Sequence, residues 1–201
     1  MNKKLTGIVA GAAGAALLLS GATYALWSDS GSADGGTITA GNLDVSVAAG
    51  AWSDVSADRA DAGHAIDLAS FEIVPGDTIR GSYGFDVGLA GDNMVADLAL
   101  AGGGLTGELA EGLSVVYTVV DGSGSVVASS STASGVTVQL AGDGNTHNAA
   151  LPHVSAAVDG TVDFTLQVDV TFDAATADQD LVNATAALAN AGVSLTQVRI
   201  G

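Results

Sequence analysis

The chain has 201 residues, with 22 acidic against 5 basic side chains for a net charge of −17, and no cysteine. Five cations cannot build the basic stripe that neutralises phosphates, so nucleic acid is excluded as a partner, and a disulfide scaffold is excluded with it. With 48% hydrophobic but only 4% aromatic residues, the composition is that of one folded domain whose core is Val, Leu and Ala.

The first 25 residues have the three-part layout of a secretory signal. Lys3 and Lys4 are followed by an apolar run from Ile8 to Leu19 and then by small residues up to Ala25. The run is too short to span about 30 Å of hydrocarbon, which takes about 20 helical residues. Thr23 and Ala25 stand at −3 and −1 of the expected cut, and Leu26 follows it; a cut after Ala22 is the alternative. Cleavage leaves Arg59, Arg80 and Arg199 against all 22 acidic residues, a net −19. The product is expected to be secreted, extracellular or held at the cell surface, with no stable membrane span. Residues 26–201 are expected to form a single domain.

Beyond residue 36 the main signal is alternation of apolar and polar residues, which reads as half-buried strands. Strands are expected over Thr37–Val47, Ile66–Leu68, Phe71–Val74, Thr78–Val87, Met94–Leu100, Leu113–Val120, Ser125–Ala128, Gly135–Leu140, Ala149–Val154, Thr161–Phe172 and Val193–Val198. Thr161–Phe172 is the cleanest, with Val162, Phe164, Leu166, Val168, Val170 and Phe172 on one side. Pro75-Gly76-Asp77 and Asp121-Gly122-Ser123-Gly124 carry turn chemistry. Gly102-Gly103-Gly104 reads as a loop. Ala174–Ala191 is Ala-rich, with Leu181, Val182, Ala186 and Leu188 at roughly helical spacing, and predicts a helix ended near Gly192. The expected fold is all-β, an antiparallel jelly-roll-like sandwich with one short helix in the C-terminal region.

Three pieces, in order, carry a family resemblance: Gly21–Asp29 around the expected cut, the segment Thr37-Ile38-Thr39-Ala40-Gly41-Asn42-Leu43-Asp44-Val45, and Val74-Pro75-Gly76-Asp77-Thr78-Ile79. Together they resemble the TasA/camelysin family of secreted biofilm-matrix proteins over about the first 80 residues. The remainder, notably Ser194–Arg199, is more similar to the alternate-type signal-peptide proteins of high-GC Gram-positive bacteria. The resemblance implies cleavage by a SipW-type signal peptidase. It also implies homo-polymerisation into fibres, with or without an accessory matrix protein, when the N-terminal segment of one subunit completes a sheet in the next. The residues offer a physical basis for this. Leu26-Trp27 is an apolar pair on a polar tether, Ser28–Gly36, followed by Ile38, Leu43 and Val45 as the remaining apolar positions of the exchangeable strand. The alternative is that these side chains pack on their own domain, leaving a monomeric cell-surface or secreted binding module.

Camelysin is described as a metalloprotease, but His64, His147 and His153 lack the helical spacing and intervening Glu of a zinc peptidase. Gly122-Ser123-Gly124 lacks the flanks of a nucleophile elbow. No catalytic residue and no enzymatic activity are expected. Calcium prefers oxygen ligands, and Asp54, Asp58, Asp61 and Asp67 form the densest carboxylate cluster; Ala141–Asn145 offers only Asp143. A solvated acidic surface accounts for both, so no cofactor is assigned. Asn183-Ala184-Thr185 matches a glycosylation sequon only incidentally.

Overall fold

The computed structural model describes residues 38–101, 104–132, 135–189 and 192–199. The chain divides into two units, Met1–Ile38 and Thr39–Gly201.

Thirteen strands make up the described part of the second unit. They are β1 (Asn42–Val47), β2 (Ala51–Asp54), β3 (His64–Ile66), β4 (Thr78–Ala90), β5 (Val95–Ala101), β6 (Leu105–Thr106), β7 (Leu113–Asp121), β8 (Val126–Ser130), β9 (Val136–Gly142), β10 (His153–Val154), β11 (Phe164–Phe172), β12 (Ala187–Leu188) and β13 (Gly192–Gln197). One 3-10 turn, Glu108–Gly112, precedes β7. The larger sheet runs β3-β2-β4-β11-β7-β8, with β1 also paired to β4. The smaller runs β10-β9-β5-β13, and β12 pairs with β6 alone. All pairings are antiparallel except β9–β10. The fold is an all-β sandwich.

Its core forms where the alternating faces of the two sheets meet. Phe164, Leu166, Val168, Val170 and Phe172 of β11 are all buried, while Thr165, Gln167, Asp169 and Thr171 between them are half-exposed. Phe85, Val87 and Leu89 of β4 join them from the larger sheet; Leu98, Leu100, Val138 and Leu140 of β5 and β9 close from the smaller. Each such side chain contributes about 1.5–3 kcal/mol by leaving water.

Strand β4 has 13 residues and serves two partners along one edge. β2 pairs with Ile79–Ser82 and β1 with Phe85–Ala90, while β11 pairs along the opposite edge over Thr78–Phe85. Both expected turns are present. Gly76 (φ 99°) lets Asp77 N donate to Val74 O, and Val74 N donates to Asp77 Oδ2 at 2.9 Å. Gly124 (φ 82°) closes the β7–β8 turn, where Asp121 Oδ1 accepts from Ser123 and Ser125 N–H groups at 2.9 Å each.

The helix expected over Ala174–Ala191 is not formed. Within the described residues of that stretch the chain runs in turns to β12. Asp178, Leu181 and Asn183 adopt φ of 58°, 59° and 59°, and each left-handed residue interrupts a right-handed helix. The near-helical spacing of apolar residues is met instead by Leu181 reaching Gly112 and by Leu188 packing against the core. Phe71–Val74 is loop rather than strand, although Phe71 and Ile73 still pack against the core. Strand β2 has no counterpart among the expected elements.

Candidate functional site

The two sheets are unequal, and the mismatch defines the most distinctive surface of the domain. β13 ends the smaller sheet, and among the described residues its far edge has no partner strand. Beyond that edge the inner face of the larger sheet continues with Tyr83 on β4 and Trp52 on β2. An apolar groove of about 710 Å³ lies there, lined by Trp52, Tyr83, Tyr117, Leu166, Leu188 and Val193 among others. A second hollow of about 670 Å³ continues it beneath the 173–186 loop, reaching Phe71, Ile73, Leu109 and Leu181. Trp52 and Leu188 line both.

Local sequence explains why the groove is open. Trp52 pairs in register with Gly81, and a Cβ on Gly81 would stand 2.8 Å from the indole ring. The missing side chain therefore seats the indole flat on β4. β13 follows the β5 pattern, with Val193 and Leu195 half-buried and Ser194 and Thr196 exposed. It supplies an apolar wall but no further strand to cover the aromatic floor. The 173–186 loop holds three left-handed non-glycine residues over the second hollow, a conformation that surrounding contacts must hold in place.

An apolar groove beside an unpaired strand edge can take an extended segment. The edge supplies main-chain hydrogen bonds, and the groove takes alternate side chains. Of the residues assigned to an exchangeable strand, Leu26 and Trp27 lie outside the described residues, as do the cleavage-site residues Thr23 and Ala25 and the tether 28–36. Ile38 is 97% exposed. Leu43 and Val45 lie in β1, half-buried and opposite Leu89 and Val87 of their own chain's β4.

The carboxylate cluster is organised around its own arginine. Asp54 is buried and accepts from Ser56 N (2.9 Å) and Ser56 Oγ (2.6 Å), with Arg59 Nε at 3.4 Å. The Ser56 hydroxyl, foremost, and then its N–H hold the Asp54 carboxyl below its ordinary value, with Arg59 adding to the effect. Arg59 also grips Asp61 through Nε and Nη2 at 3.0 and 3.1 Å, which lowers that carboxyl too. Asp67 caps its own turn through Ala69 N (3.0 Å), and Asp58 is exposed. In the Ala141–Asn145 turn Asp143 is exposed, whereas Asn145 is buried and fully engaged. Asn145 Nδ2 donates to Met94 O and Asn148 Oδ1, and its Oδ1 accepts from His147 N and Asn148 N. Asn145 is thus a structural staple that sequence alone did not separate from a cation loop.

His64 lies in β3 with Nδ1 3.6 Å from Asp61, while His147 and His153 are exposed. Among the described residues no three His, Cys, Asp or Glu side chains are grouped so as to hold a metal ion. No helix among them is long and apolar enough to cross a membrane.

No protein-family model matches the chain, and no curated protein matches it.

Proposed function

We propose that this chain is a secreted structural subunit of an extracellular matrix, polymerising by donation of its N-terminal segment into the groove of a neighbour after signal-peptide cleavage. The observation that carries the reading is the edge of β13, unpaired among the described residues, beside an apolar groove floored by Trp52 and Tyr83. The sequence supplies the matching donor: Leu26-Trp27, apolar, on the polar tether 28–36. With β1 paired to β4 in its own chain, the donated part is the segment preceding β1. The SipW-type signal peptidase enters as the processing partner. Before cleavage the donor is tethered to the leader, so processing gates assembly.

The test compares a chain beginning at Leu26 with one lacking Leu26–Gly36, by electron microscopy and sedimentation. The longer chain is expected to form fibres and the shorter to stay monomeric. A longer chain that stays monomeric at high concentration sinks the reading, as does a shorter one that forms the same fibres. At −19 per subunit, assembly works against charge repulsion, so added salt or mild acid is expected to promote it. The second hollow, roofed by the strained 173–186 loop, favours one other reading, a monomeric binding module for an apolar ligand. Saturable binding by a chain that never assembles is its signature.

A further inference from the structure

Away from the groove, the segment 155–163 between β10 and β11 folds over the outer face of β4. Gly88 is buried beneath Ala157 and Val158, and Leu89 N donates to Ser155 O at 2.8 Å. Two aspartates fasten this cover. Asp86 on β4 accepts from the N–H groups of Asp159 (2.9 Å) and Gly160 (2.5 Å), both on Oδ2. Asp163, next to the Phe164 that pairs with Phe85, accepts from Val87 N at 2.8 Å on its own Oδ2. The carboxyls of Asp86 and Asp163 thus sit on neighbouring segments at the same level of the sheet.

This arrangement is incomplete. Asp86 is only 7% exposed, and its Oδ1 is sealed from solvent with no hydrogen-bond partner. A buried carboxylate oxygen without a donor is costly, and like charges on adjacent strands add to that cost. No ion pair among the described residues reaches either carboxyl. The other charges around Asp163 are also acidic: Asp159 in the cover and Asp143 after β9. On the β7 side, Asp121 is occupied by Ser123 and Ser125. What the pair lacks is one positive charge carrying one donor.

We propose that Asp86 and Asp163 hold a single proton between them, so that segment 155–163 is fastened more firmly to β4 as the pH falls. Protonation converts the Asp163 carboxylate to a carboxylic acid. Its O–H donates toward Asp86 Oδ1, while its carbonyl oxygen keeps the bond from Val87 N. Burial, then the charges of Asp86, Asp159 and Asp143, push the Asp163 carboxyl above its ordinary value, against the Val87 N–H that lowers it. A proton fits where a hydrated cation does not, because Asp86 Oδ1 is closed to water and, among the described residues, no three carboxylate or histidine side chains are grouped so as to hold a metal ion. Because the folded value is raised, the cost of the second charge is full above the folded-state pKa and is relieved as the pH falls through it toward 3.8.

The test uses D163N, whose amide oxygen keeps the Val87 bond while its N–H supplies the missing donor. At neutral pH the variant is expected to melt about 2–4 °C above the parent, the gap closing as the pH approaches 3.8. A variant that melts at or below the parent at neutral pH overturns the proposal, and so does a gap independent of pH. Carbon-13 NMR of the parent's aspartate carboxyls reads the same event without a mutation. A raised Asp163 midpoint supports the shared proton; a midpoint at or below the ordinary value overturns it. Calcium chloride at about 1 mM is the third arm. Stabilisation of the parent but not of D163N at neutral pH would show a cation in the proton's place and overturn the proposal.

Discussion

Arg80 and Asp169 face each other across the β4–β11 ladder, with the arginine Nε and Nη2 at 2.6 and 2.7 Å from the two carboxylate oxygens. They are register partners on the outer face, and the fork matches the carboxylate geometry on both oxygens. The hydrogen bond to Asp169 raises the Arg80 pKa, so the guanidinium stays charged throughout the accessible pH range.

Solvent reaches 33% of the Arg80 side chain and 23% of Asp169, so the pair is screened and contributes modestly. A double-mutant cycle with Arg80→Ala and Asp169→Ala is expected to give a coupling of about 0.5–1 kcal/mol in urea unfolding. Arg80→Lys keeps the charge but loses the two-point fork, and should recover less than half of it. Full recovery by lysine would show that charge alone matters.

Acid should act on Asp54 in the opposite sense to Asp163. Its carboxyl is held below 3.8 in the folded state, so the stability it provides is full above 3.8 and is lost as the pH falls through the lower folded value. Ser56 is the main cause, and its Oγ also accepts from Thr78 N at 3.0 Å. Ser56→Ala removes both contacts beside a buried carboxylate. Circular dichroism is expected to show a loss of about 1–3 kcal/mol at neutral pH and an acid unfolding midpoint moved to higher pH.

In the groove, Val193→Asp places a charge on the apolar wall beside the β13 edge, at a half-buried side chain that packs against the rim of the core. The variant should fold, melt within a few degrees of the parent, and fail to assemble under conditions where the parent forms fibres. Undiminished assembly would move the acceptor surface elsewhere.

Asn145→Ala should cost more than an ordinary turn substitution. It strands two turn N–H groups that are now satisfied and leaves the Met94 carbonyl with Gly142 N as its remaining donor. A loss of about 2–3 kcal/mol is expected in chemical denaturation, against a few tenths for Asp143→Ala on the exposed side of the same turn.

The sandwich was legible wherever local chemistry and tertiary packing agreed. β11 shows strict alternation because one face is core and the other wet, and the Pro75-Gly76-Asp77 and Asp121–Gly124 turns carry their own hydrogen-bonding groups. Where they disagreed, the reading failed. Ala174–Ala191 has helical spacing, but left-handed residues at Asp178, Leu181 and Asn183 spend its apolar side chains on the sandwich end. β2 is too short to alternate visibly, and its one strong feature, Trp52, gains meaning only opposite Gly81. The groove arises from a difference in strand number between two sheets, a relation that no single segment contains. The Asp86–Asp163 pair was hidden for a related reason: 77 positions separate the two residues, and β-register alone brings them together.

The split service of β4 has a mechanical consequence. Because β1 and β2 hold different halves of the same edge, with exposed residues 48–50 between them, tension applied to the chain just ahead of β1 loads β1 before β2. β1 can peel from Phe85–Ala90 while β2 and β11 keep the other half of β4 seated. A pull transmitted along the chain would therefore lengthen the molecule by one strand before it threatened the core, so the N-terminal strand would act as the domain's own extensible link.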